Sequence, residues 1–148
     1  MNIDQILEMW EKDCQIDEFK LDDASRDTAK LHGKYLQLLT VTKLQLKKRD
    51  ADLRVLLKDK WLYYNGKMTQ EEMNERGWSY DPFNGLSKPL KGEMDFYYDS
   101  DDDIIKAKQK IEYLKVSIDT LEEIINTLRW RHQSIKNMIE WRKFESGI

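Results

Sequence analysis

Cysteine is nearly absent. Cys14 is the single one among 148 residues, which excludes an internal disulfide framework and fits a reducing cytoplasm. Glycine and proline are scarce too, at six and two, so the chain has few natural breakers. The longest uninterrupted apolar runs reach only three or four residues, such as Trp61 to Tyr64, and no transmembrane span is expected. The only histidines, His32 and His132, stand a hundred residues apart. No Cys or carboxylate pair gives either one metal-ligand spacing. Met1 to Trp10 carries acids and lacks both the basic head and the apolar stretch of a secretory signal. Collagen, porin, zinc finger and secreted mini-protein are thereby excluded.

Charge is what the sequence has in plenty. Charged residues make up 36% of the chain, against a usual ~25%, and with so few breakers this points to long, solvent-washed helices. The length suits one domain over 1–148. A net charge of −3 hides strong segregation. Residues 1–30 hold nine acids and four bases, whereas 34–60 hold eight bases (Lys34, Lys43, Lys47, Lys48, Arg49, Arg54, Lys58, Lys60) against three acids. Residues 65–103 return to ten acids and four bases, and 129–143 carry five bases and one acid. Two basic blocks inside an acidic frame are either ordinary solvated faces or a site for an anionic partner.

Ile3, Ile6, Leu7 and Trp10 fall on one face of a short helix. From about Leu21 to Tyr64 the only breaker is Gly33. The series Thr28, Leu31, Tyr35, Leu38, Thr42, Gln45, Arg49, Leu53, Leu56 and Tyr63 recurs at heptad-like intervals. One long helix is predicted there, closed by Asn65-Gly66. Residues 67–99 hold both prolines and three glycines beside Trp78, Tyr80, Phe83, Phe96, Tyr97 and Tyr98. Thr69 with Glu72 forms a capping box for a short helix that Gly77 ends. The rest reads as a connector with its own aromatic packing. Ser100 with Asp103 looks like a helix start. Ile104, Ile111, Leu114, Ile118, Leu121, Ile125, Leu128, Ile135 and Ile139 then mark a second long helix. The expected fold is all-α: an elongated antiparallel helical hairpin with a short N-terminal helix and a compact aromatic connector. Its parts are N-terminal helices over 1–64, connector over 65–100 and C-terminal helix over 101–148. A hairpin has a narrow core, so its leftover apolar stripe should drive self-association.

Catalytic patterns fail. Gly66-Lys67 has Trp61 where a phosphate loop needs Gly and Met68 where it needs Ser or Thr. Asp99, Asp101 and Asp103 imitate the opening of a calcium loop, but Ile104 replaces its Gly and Lys110 its Glu, so helix capping is the better reading. No enzyme, metal or cofactor is expected. The informative stretch is LLKDKWLYYNGK, residues 56–67, where Lys58, Lys60 and Lys67 surround Trp61, Tyr63 and Tyr64. Cations neutralise phosphates while rings stack on bases. The competing account is that Trp61 and Tyr64 close a hydrophobic seam with lysines reaching past them. The second basic block sets Arg129, Arg131, Lys136, Arg142 and Lys143 beside Trp130, Trp141 and Phe144. Its stripe of Ile135, Met138 and Ile139 makes subunit packing as good a reading as DNA contact.

The stretches LHGKYLQLLTVTKLQLKK (31–48), LLKDKWLYYNGKM (56–68), GWSYDPFNGL (77–86), EMDFYYDSD (93–101) and WRHQSIKNMIEWRKFESG (130–147) resemble the UvsY family. These are recombination mediators of T-even-like phages, and the chain resembles in particular the members carried by cyanobacterial viruses. YYNG and IKNMI…FESG are the most specific segments, whereas the GWSYDPF connector is longer and more aromatic than in the coliphage type. The resemblance implies a non-enzymatic helical protein without cofactors, acting in recombination, repair and replication in the cytoplasm of the infected bacterial host. Its implied partners are single-stranded DNA, the phage recombinase, the phage single-strand-binding protein and further copies of itself in a ring, taken here as a heptamer; no membrane is involved. The family's basic pair falls on Lys58 and Lys60. With the reading of the residues, the expected DNA-binding set is Lys47, Lys48, Arg49, Arg54, Lys58, Lys60, Trp61, Tyr64 and Lys67. The expected oligomerisation set is Ile135, Met138, Ile139, Trp141 and Phe144. Two other classes compete: a prefoldin-like helical-hairpin chaperone, which would want strand-like alternation between its helices, and a metal-dependent nuclease built on Asp99 to Asp103.

Overall fold

A computed structural model describes every residue except Asn84, Ser87 and Ile148. The elements are α1 (Ile3–Asp13), α2 (Leu21–Tyr64), α3 (Gln70–Arg76), a 3₁₀ turn (Lys91–Glu93), α4 (Met94–Ser100) and α5 (Asp102–Glu145). No strand occurs among the described residues, and the fold is all-α. The chain divides into two compact units, one formed by Met1–Gln45 with Tyr113–Ile148 and the other by Leu46–Glu112.

The first unit is held by an aliphatic seam. Leu39 and Thr42 of α2 are buried, as are Ile118, Leu121, Ile125, Leu128 and Ile135 of α5, spaced in threes, fours and sevens. Tyr35 is fully buried and meets Trp10 edge-on with centroids 5.5 Å apart. α1 starts in a capping box between Asn2 and Gln5. At its other end the buried Arg131 donates to the carbonyls of Asp13, Cys14 and Gln15 at 3.1, 3.4 and 3.2 Å. A cation there satisfies orphan carbonyls and meets the negative end of the helix dipole. Asp13 accepts from Lys34 at 2.7 Å and from the Tyr35 hydroxyl at 2.8 Å. Burial opposes its charge, but these two donors outweigh it and hold the carboxyl below the usual range.

The second unit is built on rings. Tyr63, Tyr64, Met68, Met73, Phe83 and Met94 form its cluster, with Leu62, Trp78, Tyr97 and Tyr98 packed against them. α2 ends as Asn65-Gly66 requires. Gly66 takes φ 67°, its N–H reaches the Tyr63 carbonyl, and the Lys67 N–H reaches that of Leu62 at 2.9 Å. This is the double closure that a left-handed glycine permits. Gly77 ends α3 in the same manner after the Thr69–Glu72 box.

One local expectation is corrected. α5 is capped by Asp101, whose carboxylate accepts from the Ile104 N–H at 3.1 Å. Ser100 instead belongs to α4 and donates to the Phe96 carbonyl at 2.7 Å. α4 and the turn before it have no periodic signature. Tyr97 and Tyr98 pack on the ring cluster and Met94 is part of it, so burial and not propensity makes this short helix.

Candidate nucleic-acid interface

The rear half of α2 carries most of the candidate residues, and helix geometry divides them. Lys47, Arg54, Lys58 and Trp61 follow one another at intervals of seven, four and three, which puts them on one face. All four are exposed. The interval from 47 to 61 spans about 21 Å at 1.5 Å per residue. Among the described residues none of the three cations is ion-paired, and Trp61 leaves 40% of its surface in solvent. Lys67, brought back by the Gly66 turn, holds its ammonium 4.6 Å from the centre of the Trp61 ring. Lys48 and Arg49 are exposed but turn away from this face, being one and two residues past Lys47.

Lys60 and Tyr64 lie on the other side. Lys60 is only 4% exposed. Its ammonium pairs with Asp101 at 3.0 Å and Asp103 at 2.9 Å and sits 3.9 Å from the centre of the Trp78 indole. Trp78 donates its ring N–H to Asp103 at 2.9 Å, and the Tyr64 hydroxyl donates to Asp101 at 2.6 Å. Burial disfavours the Asp101 charge, but hydrogen bonds from Tyr64, Lys60 and the Ile104 N–H overcome it and lower the carboxyl from its ordinary value. The same burial, followed by the bond to Asp101, raises the Tyr64 phenol. Both residues were expected to touch DNA; in this fold both are enclosed, Lys60 by two carboxylates and an indole, and Tyr64 with its ring against Tyr63, Phe83 and Tyr97. The seam-closing account holds for Tyr64 and the stacking account stays open for Trp61.

The C-terminal set divides likewise. Ile135 is buried with Leu21 and Ala24, and Met138 packs against that cluster, so Ile135 is core within its own unit and not free for a neighbour. Ile139, Trp141 and Phe144 are exposed by 37%, 61% and 73%, and the last two stack with centroids 5.5 Å apart. Arg131, read as a possible DNA contact, is enclosed by the carbonyls that end α1. Asp101 and Asp103, read as possible metal ligands, serve Lys60 and the start of α5.

A family model described as "Recombination, repair and ssDNA binding protein UvsY" matches residues 9–148. The chain belongs to the UvsY family. Among UvsY proteins, the recombination protein uvsY of Enterobacteria phage T4 is 25% identical over 147 residues, covering 99% of both chains. The fold is similar to that of the bacteriophage T4 recombination mediator protein UvsY in two of its crystal lattices. One gives a TM-score of 0.81 at 24% identity over 99% of this chain and 98% of the other. The second gives 0.72 at 19% identity over 99% of each.

Partners of Lys60 were the residues that sequence reasoning missed. Asp101, Asp103 and Trp78 lie eighteen to forty-three positions away, with nothing local to pair them. A signal did exist for the split itself. Positions two apart on a helix never share a face, so Lys58 and Lys60 could not both line one surface.

Proposed function

We propose that this chain binds single-stranded DNA and acts as a mediator that loads the phage recombinase onto strands covered by single-strand-binding protein. The observation that supports this reading is the exposed ridge of Lys47, Arg54, Lys58 and Trp61, with Lys67 over the Trp61 ring. Unpaired cations spaced along a rod neutralise successive phosphates and release their counterions. An exposed indole offers a base a face to stack on without reading its edges. Such contacts carry little sequence preference, which suits a protein that must work wherever a strand is uncovered. Lys48 and Arg49 face away from the ridge and add only to the positive field of this stretch of α2, and neither Lys60 nor Tyr64 is needed for contact.

One ridge is weak, and the chain as a whole carries −3. Assembly resolves this. Several copies of the ridge on one strand convert weak sites into a strong one through effective concentration. Ile139, Trp141 and Phe144, with Met138 at their edge, are the surface proposed for self-association into a ring, seven subunits being the count proposed. The recombinase and the phage single-strand-binding protein are its proposed protein partners, and the cytoplasm of the infected host is its proposed place of action. No helix among the described residues is long and apolar enough to cross a membrane.

Native mass measurement with and without a short oligothymidine tests both parts. The expected result is a homo-oligomer that gains the mass of bound strand at low salt and loses it as salt rises. A monomer that retains no strand in dilute buffer would contradict the proposal.

A further inference from the structure

The two lysines of the pair at 58 and 60 differ by about 200° around the helix. Lys58 faces solvent on the ridge, whereas Lys60 is held by two carboxylates and an indole. We propose that Lys60 is a positioning residue: it clamps the last turn of α2 to the first turn of α5 and so sets where Lys58, Trp61 and Lys67 meet the strand, without itself touching a phosphate. The inference rests on the strand-binding reading of the ridge.

Three residues, Lys60, Tyr64 and Trp78, close the clamp on Asp101 and Asp103. The Lys60 ammonium bridges Asp101, which caps α5, and Asp103, which lies in its first turn. Tyr64, one turn further along the same face of α2, adds a hydrogen bond to Asp101. Trp78 closes the open side of the ammonium and is itself fixed by its N–H bond to Asp103. Just after Trp61 and Tyr64 the chain reverses through Gly66 and places Lys67 over the Trp61 ring. Trp61, Lys67 and Lys60 therefore sit within one short closing segment. A shift of the last turn of α2 would move the stacking ring and both neighbouring cations together. A lysine bound this way also has no unsatisfied need for a phosphate, because two carboxylates already neutralise it and pulling it out would leave Asp101 buried and unpaired.

Acetylation mapping of the wild-type protein, with and without saturating oligothymidine, tests this directly. Lys47, Lys58 and Lys67 should react in the free protein and become protected by the strand, whereas Lys60 should stay unreactive in both states. A Lys60 that reacts freely and is then protected by the strand overturns the clamp while leaving the strand-binding reading intact. Protection of none of the ridge lysines overturns that reading, and the inference with it. The second measurement uses Lys60→Met with Asp101→Asn, which removes the central ion pair without leaving a buried charge alone, since Asp103 is half-exposed and keeps the Trp78 N–H. Given unchanged helix content and oligomer mass, this variant should bind oligothymidine roughly fivefold or more weakly at every salt concentration, the loss of about one well-placed stacking contact. Its slope of log affinity against log salt should match the wild type, and Lys60→Arg should restore affinity. A slope reduced as much as in Lys58→Ala, or an affinity equal to wild type, would overturn positioning.

Discussion

The two units solve the same problem with different materials. In the first, leucines and isoleucines at helical spacing bury one continuous seam, and the ionic contacts of Asp13 and Arg131 sit at the end of α1. In the second, tyrosines, methionines, Phe83 and Trp78 make the core, and a lysine with two aspartates is built into its edge. The aliphatic seam tolerates imprecision because dispersion and burial are non-directional. The ring cluster with its ions demands geometry, since a buried charge is costly unless every partner is in place. That demand suits the unit that carries the ridge proposed to meet the strand.

The sharpest way to break the contrast is to take from the buried cation its buried partner. Asp101→Ala leaves Lys60 with the half-exposed Asp103 alone, removes the Tyr64 acceptor and the α5 cap with it, and should cost about 3–5 kcal/mol. Urea unfolding would measure it, and hydrogen exchange should show the loosened amides concentrated in the second unit. Leu121→Ala makes the converse change in the aliphatic seam, where a fully buried leucine leaves a cavity. An expected loss of about 2–5 kcal/mol should fall on the amides of the first unit. Trp61→Ala separates function from stability: oligothymidine binding should weaken by about 1–3 kcal/mol, with little change in unfolding. Tyr63→Phe should show the smallest effect. It removes a 2.6 Å bond to the Ser79 carbonyl but keeps the ring, at a cost of about 1 kcal/mol.

Acid provides a further probe. The Asp101 and Asp13 carboxyls lie below their ordinary value in the folded chain, so the unfolded chain binds protons first as the pH falls. Their stabilisation is therefore complete above the unfolded value of about 4 and is lost as the pH drops through the lower folded values. Asp101→Asn should flatten that acid limb, and chemical denaturation at a series of pH values would record it. The Tyr64 phenol is raised, so its contribution is present below about pH 10 and fades above it.

Much of the fold was legible because its signals are local. The bounds of α2, the Asn65-Gly66 closure, and the Thr69 box with Gly77 all follow from neighbouring residues, and the α5 series named the buried Ile104, Ile111, Ile118, Leu121, Ile125, Leu128 and Ile135, while Leu114 is only half-buried and the buried Ile124 was not in it. α4 was not legible, since its burial depends on Tyr64 and Phe83 from elsewhere in the chain. The site divides along the same line. Exposure of Lys47, Arg54, Lys58 and Trp61 follows from helix spacing, whereas the enclosure of Lys60 depends on Asp101, Asp103 and Trp78, which no short-range pattern joins. Lone cations among aromatic residues therefore looked alike in the sequence, and only tertiary packing distinguishes the one that faces water from the one that holds the core.

Oligothymidine affinity measured across a salt series, for the wild type and for Lys47→Ala, Arg54→Ala and Lys58→Ala combined, tests the ridge most directly. The triple variant should keep its helix content and unfolding midpoint, bind far more weakly at low salt, and show a shallower slope, each lost phosphate contact removing about 0.7 from it. Equal affinity and equal slope in the two proteins would contradict the assignment of this face to the strand.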